Sequence, residues 1–171
     1  MKRIKFLFVG MLLIFSSSFA QKLPSSQELI DHAKYVLPCT GVLRSTEKWI
    51  YVDVDDAYVH DLFSFIEEEG FEKPPYFSSE GAVGAHITVA YPDEVKKYRV
   101  FKIEESGEKI DFVLKRCEIV HPPTWEEIDE LYLITVEAPQ LDQIREKYGL
   151  PEKIHDFHIT VAVKPEIARA G

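Results

Sequence analysis

Residues 86–90 read His-Ile-Thr-Val-Ala, and residues 158–162 read His-Ile-Thr-Val-Ala again. The chain has six histidines, so chance would rarely place two of them in the same five-residue frame, and such self-similarity indicates two halves with related roles. Alternate residues of an extended strand point to the same face. The His and Thr of each copy therefore share one face, while Ile and Val anchor the other face in a core. Two such strands side by side would form a small site with two imidazoles and two hydroxyls, which suits a phosphate group.

The periodicity of the rest of the chain predicts an α+β domain. It favours helices at about 25–37, 56–70 and 140–148, a short helix or turn at 93–98, and strands at about 48–54, 86–90, 100–103, 110–120, 131–136 and 158–164. Each pentapeptide thus lies on a strand that follows a helix. We expect a two-lobed, pseudo-duplicated domain in which antiparallel sheets flank a central groove and the helices lie outside. The loops at 71–84 and 121–128 would line that groove.

The first twenty residues have the layout of a secretory signal peptide. Basic residues precede an apolar run from Phe6 to Phe15, and Ala20 ends a plausible cleavage site. The run is much shorter than the roughly 20 residues that span a bilayer, so an uncleaved anchor is the less favoured interpretation. We predict that residues 21–171 form a single two-lobed domain, exported to the periplasm or secreted, and not held in a membrane in its mature form.

The charge balance of the chain is acidic, with a formal net charge of −9. Removal of the leader would take away three of the 20 basic residues and none of the 29 acidic ones. A surface of this kind repels long polyanions. The composition therefore disfavours long nucleic acids, and it leaves a small nucleotide or a short oligonucleotide as the expected partner of a monomeric protein.

Two cysteines, Cys39 and Cys117, leave two alternatives open. In an exported protein they can form a disulfide. Two buried free thiols are equally compatible with the sequence, which gives no distance between them. Neither cysteine lies in a catalytic motif, so we expect no nucleophilic thiol.

The other histidines carry weaker signals. His32 and His60 fall on predicted amphipathic helices, and His121 begins a His-Pro-Pro turn. His155 precedes His158 by three residues, but zinc needs three or four convergent ligands. That spacing does not place both rings on one face of a strand, so we expect no metal site and no cofactor.

Some cationic and aromatic side chains are further candidates without a decisive pattern. Arg44 and Lys164 could assist a bound phosphate, although nothing in their spacing shows it. By strand parity Tyr91 faces the core, unless Pro92 bends the chain. Several tyrosines are possible walls for a stacked base, against the commoner role of such residues in a core, namely Tyr35, Tyr51, Tyr76, Tyr91 and Tyr132.

The two tetrapeptides 86–89 and 158–161, each on a strand after a helix, resemble the paired motifs of the two-histidine (2H) phosphoesterase superfamily. That superfamily includes RNA 2′,3′-cyclic phosphodiesterases, RNA 2′,5′-ligases and cyclic nucleotide phosphodiesterases. The resemblance implies metal-independent hydrolysis of a cyclic or 2′,5′-linked phosphodiester of a small nucleotide or oligonucleotide. It implies His86 as the general acid and His158 as the general base, in an order that could be reversed, with Thr88 and Thr160 as ligands of the phosphate oxygens.

Elementary chemistry agrees with those roles. Imidazole titrates near pH 6.5, so one ring can accept a proton while the other donates one. Threonine hydroxyls can hydrogen-bond the charged oxygens of a phosphate. Two alternatives remain open, namely a non-catalytic exported module that binds a phosphorylated ligand and a pair of strands that only pack a sheet. A His86→Ala change separates them, because it abolishes turnover in an enzyme, weakens binding modestly in a binder and damages folding in the third case.

Overall fold

The computed structural model describes residues 26–75, 82–123, 125 and 127–166. Within these ranges lie four α-helices, one 3₁₀ helix at Leu62–Phe65 and seven strands. The helices are α1 (Ser26–Val36), α2 (Ala57–His60), α3 (Pro92–Tyr98) and α4 (Pro139–Lys147). The strands are β1 (Thr40–Ser45), β2 (Ile50–Asp53), β3 (His86–Ala90), β4 (Lys109–Asp111), β5 (Val113–Val120), β6 (Ile128–Glu137) and β7 (His158–Pro165). The predicted leader, residues 1–20, and Tyr76 lie outside the described residues.

The seven strands form one antiparallel sheet in the order β4-β1-β2-β3-β7-β6-β5. Strands β4 and β5 are separated in sequence by Phe112 alone, yet they occupy opposite edges of the sheet. One residue cannot cross a flat sheet of seven strands, so the sheet curls into a half-barrel whose edges approach each other at Phe112. The α+β class is confirmed, whereas the prediction of more than one sheet is wrong.

The predicted strand at 110–120 is two strands for the same reason. Ile110, Phe112 and Leu114 are all buried, so the alternation of burial continues through the break. The N–H of Phe112 donates to the carbonyl of Cys39, 3.1 Å away, so the backbone stays bonded beside β1 as far as Phe112, and from Val113 onward it pairs with β6. Periodicity shows which face a residue points to, but it does not show which neighbour its backbone pairs with.

The hydrophobic core lies on the face of the sheet that the helices cover. It contains Ile87 and Ile159 from the motif strands, together with Leu29 of α1, Tyr58 of α2 and Leu141 of α4. The apolar side chains that the described helices bury all belong to this core. The opposite face, which carries the His and Thr of both motifs, therefore has no helix packed on it among the described residues.

One strand was missed, and two local predictions differ from the structure. Strand β1 was not predicted. The predicted helix at 56–70 ends early, at His60. The 3₁₀ helix that follows contains a hydrogen bond from the Ser64 hydroxyl to the carbonyl of Asp61 at 2.7 Å, and Ile66 is already extended. The predicted strand at 100–103 forms no ladder, although Val100 and Ile103 are buried by packing against the core.

The two motif strands lie side by side at the centre of the sheet, and the elements before them follow the same order. A hairpin (β1 and β2), a helix (α2) and β3 make up one series, and a hairpin (β5 and β6), a helix (α4) and β7 make up the other. The order agrees with the predicted pseudo-duplication, which remains a prediction, as does the central groove.

The cysteines and the helices bear on two further expectations. Cys39 and Cys117 are free thiols, so of the two alternatives the structure has the unpaired one. In the part of the chain that the structure describes, the helices are too short or too polar to cross a bilayer.

Candidate active site

The two motif strands pair antiparallel at Ile87 and Ile159. Continuing that register by one residue in each direction sets His86 opposite Thr160, and Thr88 opposite His158. The two imidazoles thus occupy diagonal corners of a four-residue patch, and the two hydroxyls occupy the other corners. Diagonal neighbours across such a pair lie about 7–8 Å apart, which leaves room for a phosphate group between the rings.

Both pentapeptides contain a β-bulge at the same position. Along β3, Thr88 pairs with Tyr51 and Ala90 with Ile50, so Val89 is an extra residue without an opposite partner on β2. Along β7 the extra residue is Val161, between Thr160 and Ala162. A bulge turns two consecutive side chains to one side, and accordingly the Val and Ala of each copy are all buried in the core. The two pentapeptides thus share a β-bulge as well as the His and Thr.

The two histidine rings are held by equivalent hydrogen bonds. Nδ1 of His86 donates to the carbonyl of Gly84 at 2.8 Å, and Nδ1 of His158 donates to the carbonyl of Asp156 at 2.9 Å. A carbonyl oxygen can only accept, so each neutral ring carries its proton on Nδ1 and keeps a lone pair on Nε2. The fixed tautomer leaves Nε2 of each ring as the atom that can exchange a proton with a substrate.

The backbone just before each histidine is also held in the same way. The N–H of Val54, after β2, donates to the carbonyl of Ala85 at 3.1 Å. In the other half, the N–H of Val136 in β6 donates to the carbonyl of Phe157 at 2.7 Å. The residue that precedes each histidine is therefore tied to a neighbouring strand, which limits the motion of the ring.

Both histidines have a pKa below the ordinary value. Burial lowers the pKa of His86 most, the hydrogen bond to Gly84 opposes that shift, and the nearby charge of His158 adds to it. Burial likewise lowers the pKa of His158, with smaller opposing contributions from Asp156 and Glu118. A charge on one ring disfavours protonation of the other, which favours the division of roles that acid–base catalysis requires.

A glycine with a positive φ positions the ring of His86. Gly84 has φ +75°, and a Cβ placed there would come within 2.3 Å of Oδ1 of Asp56. The same oxygen accepts the N–H of Ala85 at 2.9 Å. Asp56 therefore sits where a side chain at residue 84 would be, and the glycine carbonyl is left aimed at His86. The sequence offered no signal for this role beyond the glycine itself.

The surroundings of His86 include two aromatic rings and an ion pair. Its ring lies edge-on to Trp49, with centroids 4.8 Å apart, and edge-on to Tyr51 at 6.1 Å. Asp53 pairs with His86 across β2 and β3, and its carboxylate lies 3.6 Å from the guanidinium of Arg44. Arg44 thus lies on the motif face, near the first histidine, while Trp49 was not predicted as a site residue.

The surroundings of His158 are more polar. Thr135 pairs with His158 across β6 and β7 and is buried, with its hydroxyl donating to the carbonyl of Arg116 at 3.2 Å. The guanidinium of Arg116 forms ion pairs with Glu118 and with Asp156, the latter at 3.6 Å. Of these groups, Thr135, Arg116 and Asp156 border a cleft of about 150 Å³. Arg116 was not predicted, because a bulge in β5 between Leu114 and Cys117 decides which way its side chain points.

The bulges also decide where two other candidates lie. Strand parity would put Lys164 on the motif face, but the bulge at Val161 reverses the parity, and Lys164 instead pairs with Glu130 at 3.2 Å. The same reversal at Val89 exposes Tyr91, which was predicted to face the core. Lys164 is thus placed away from the motif face, and the core prediction for Tyr91 is wrong.

The remaining histidines stay outside the motif patch. His121 hydrogen-bonds Asp129 at the turn between β5 and β6, and the ring of His32 packs on Phe65. His155 is exposed, and its nearby charge contributes to lowering the pKa of His158. Among the described residues, no three His, Cys, Asp or Glu side chains converge in a way that could hold a metal ion.

A buried arginine of α4 holds the first motif strand, β3, in place. The guanidinium of Arg145, in α4, donates to the carbonyl of the bulge residue Val89 and to that of Pro151 at 2.7 Å. It also forms an ion pair with Glu94 at 2.6 Å. The bulge frees the Val89 carbonyl from the ladder, and Arg145 satisfies it. The helical pattern placed Leu141 and Ile144 on the buried side of α4 but did not reveal this contact.

Comparison with known proteins gives one match. The family model described as Swiss Army Knife, 2H phosphoesterase domain, matches residues 50–168. This range covers more than half of the chain and includes both pentapeptides. A search of curated proteins and a search of solved structures found no match.

Proposed function

Because the chain belongs to the 2H phosphoesterase family, we propose that it hydrolyses a cyclic or 2′,5′-linked phosphodiester of a small nucleotide or short oligonucleotide. The family implies a phosphodiesterase-type hydrolase, and the finer substrate class is the proposal. It is carried by one observation, the crossed patch in which His86 faces Thr160 and Thr88 faces His158, with both Nδ1 atoms tied to backbone carbonyls.

The patch has the groups that hydrolysis of such a bond needs. One Nε2 accepts a proton from water as the water oxygen attacks phosphorus. The second Nε2 donates a proton to the ribose oxygen as its bond to phosphorus breaks. In-line displacement puts these two events on opposite sides of the phosphorus, and diagonal histidines suit that arrangement. The hydroxyls of Thr88 and Thr160 donate to the non-bridging oxygens, whose negative charge must be held during attack.

We assign the acid to His86 and the base to His158 by analogy with the family. Protonation of one ring is favoured by the substrate itself, since a phosphodiester anion next to an imidazole raises its pKa. The second ring stays neutral because the first is charged. The reaction then needs no metal ion, and none of the steps uses a group from outside the chain other than water.

The charge of the chain limits the size of the substrate. Three carboxylates, those of Asp53, Glu118 and Asp156, lie near the motif histidines, and two arginines partly neutralise them. Such surroundings accept one phosphodiester charge more readily than a long polyanion. We also propose that the mature protein begins near Gln21 and acts outside the cytoplasm, which rests on the leader-like sequence. We further propose that it acts as a monomer.

The test is hydrolysis by residues 21–171 of 2′,3′-cyclic nucleotides, 3′,5′-cyclic nucleotides and 2′,5′-linked dinucleotides in excess EDTA. His86→Ala and His158→Ala are measured alongside, with His32→Ala and His121→Ala as matched controls outside the patch. Chelator-resistant turnover that disappears in the first two variants and persists in the controls supports the proposal. Tight binding of the nucleotides without turnover indicates a phosphate-binding module instead, and chelator-sensitive turnover contradicts the mechanism.

A further inference from the structure

An aromatic pair lies against the first histidine of the patch and has no role in the proton transfers. The rings of Trp49 and Tyr51 are tilted against each other with centroids 4.8 Å apart, and both contact the ring of His86. Trp49 and Tyr51 are half-buried, so part of each ring is accessible. Both residues have the strand parity of Asp53, which pairs with His86.

The contact between Trp49 and His86 spans part of the patch. Trp49 precedes Asp53 by four residues, which is about 13 Å along a strand, yet its ring centroid is 4.8 Å from that of His86. The two side chains must therefore lean toward each other, over the position at which Tyr51 pairs with Thr88. The indole thus lies beside the space where Thr88 would hold a phosphate oxygen.

A rigid turn holds Trp49 in this place. In the hairpin between β1 and β2, the hydroxyl of Thr46 accepts the N–H of Lys48 at 3.3 Å and the N–H of Trp49 at 3.1 Å. The N–H of Thr46 donates in turn to the carbonyl of Trp49 at 3.0 Å. A side chain on a preorganised turn adds contact area at a low entropic cost when a ligand binds.

The second half of the site lacks such a pair. Thr160 pairs with Leu133 of β6, as Thr88 pairs with Tyr51 of β2. Leu131 and Leu133 take the positions that Trp49 and Tyr51 occupy in the first half, and they are buried in a small cluster with Val163. The two halves of the site thus differ: the half with His86 has an accessible aromatic surface, and the half with His158 has a buried aliphatic cluster at the same positions.

We propose that Trp49, supported by Tyr51, forms the wall that receives the planar base of the substrate, so that the enzyme acts on phosphodiesters that carry a nucleobase next to His86. This inference rests on the proposed function. Bases stack on aromatic side chains with little sequence preference, and the wall stands beside the patch that holds the phosphate. Trp49 is then a specificity-determining residue and takes no part in the proton transfers.

The test compares substrates with and without a base. Wild type, Trp49→Ala, Trp49→Phe and Trp125→Phe are assayed on adenosine 2′,3′-cyclic phosphate and on glycerol 1,2-cyclic phosphate, which has a cyclic phosphodiester and no base. Trp49→Ala is expected to lower kcat/KM for the nucleotide roughly 10- to 100-fold, and to leave that for the glycerol compound within about threefold of wild type. Trp49→Phe keeps most of the activity, and Trp125→Phe, at an exposed site, is assayed on both substrates as the single-tryptophan background for the binding measurement.

Equal loss on both substrates overturns the proposal and indicates that Trp49 only shields His86. Binding supplies a separate measurement. In the Trp125→Phe background Trp49 is the one remaining tryptophan, and its fluorescence is expected to be quenched by the nucleotide and not by the glycerol compound. Quenching without hydrolysis supports the wall and refutes the proposed function. Absence of both refutes the wall as well.

Discussion

Ile87 and Ile159 are the residues at which the two motif strands pair, and their pairing crosses the motifs, with His86 beside Thr160 and Thr88 beside His158. Both isoleucines are fully buried. Each isoleucine lies between the His and the Thr of its own copy. Its buried side chain therefore fixes where these two residues meet the Thr and the His of the other copy. The site is therefore built from both halves of the chain, and neither half contains it alone.

The activity of the protein is expected to be highest below pH 6.5. The general base must be neutral and the general acid must be protonated, so kcat/KM falls below the pKa of the first and above the pKa of the second. Because burial lowers the pKa of both His86 and His158, both limbs of the profile move toward acid. A pH profile of kcat/KM on the best substrate checks this, and an optimum above pH 7.5 would contradict it.

Removal of either threonine hydroxyl is expected to slow turnover with little change in stability. Thr88→Val and Thr160→Val keep the shape of the side chain and lose a hydrogen bond to a charged oxygen, which corresponds to a roughly 10- to 100-fold loss in kcat/KM. Kinetics and thermal unfolding are measured together. Thr40→Val, on the edge-side strand β1, is the control and should keep full activity.

Gly84→Ala is expected to reduce both stability and activity. The positive φ alone costs about 1–2 kcal/mol with a side chain present, and the new Cβ would meet Oδ1 of Asp56 at 2.3 Å. Relief of that clash moves the carbonyl that holds His86. Gly107→Ala is the matched control, since Gly107 has φ +100° and open space around it. Denaturant unfolding and kinetics should show the φ cost in both variants and the loss of activity only in Gly84→Ala.

Loss of the buried arginine is expected to destabilise the fold strongly. Arg145→Met leaves the half-buried carboxylate of Glu94 and the carbonyls of Val89 and Pro151 without their buried donor, and breaking a fully buried pair costs about 3–5 kcal/mol, which is the upper bound here. Lys115→Met, which removes an exposed ion pair with Glu137, should stay within about 1 kcal/mol of wild type. Equal effects of the two changes in denaturant unfolding would show that Arg145 is not a structural centre.

The same pair predicts how stability depends on acid pH. Burial on its own raises the pKa of Glu94, but the hydrogen bonds from Arg145 and from the N–H of Tyr91 outweigh it and leave that pKa below 4.5. A carboxyl with a lowered folded pKa stabilises the protein above its unfolded pKa, and that contribution is lost as the pH falls through the folded value. The free energy of unfolding should therefore fall below pH 4.5, and less steeply in Glu94→Gln.

The two cysteines are expected to remain as free thiols in the folded protein. Burial raises the pKa of Cys117 to about 11, so little thiolate is present at neutral pH and thiol reagents should modify this residue slowly. After denaturation, titration should find two thiols per chain. A count of zero would show that a disulfide forms during export.

Some of the candidate site could be predicted from the chain alone, because the repeat itself marks it. Alternation along a strand is a local property, so the shared face of His86 and Thr88, and the buried face of Ile87, follow from spacing. The effect of the bulges could not be foreseen. One extra residue at Val89 or at Val161 reverses the parity of everything after it, which is why Lys164 and Tyr91 lie elsewhere than strand parity predicts.

The sequence by itself determined the α+β class, the two motif strands and the family, because these depend on residue types and short-range periodicity. The tertiary structure alone decided which strands are neighbours, and so the single curled sheet, the crossing of the motifs and the positions of Trp49, Arg116 and Arg145. Those outcomes depend on backbone pairing between segments far apart in the chain, and burial patterns do not specify a pairing partner.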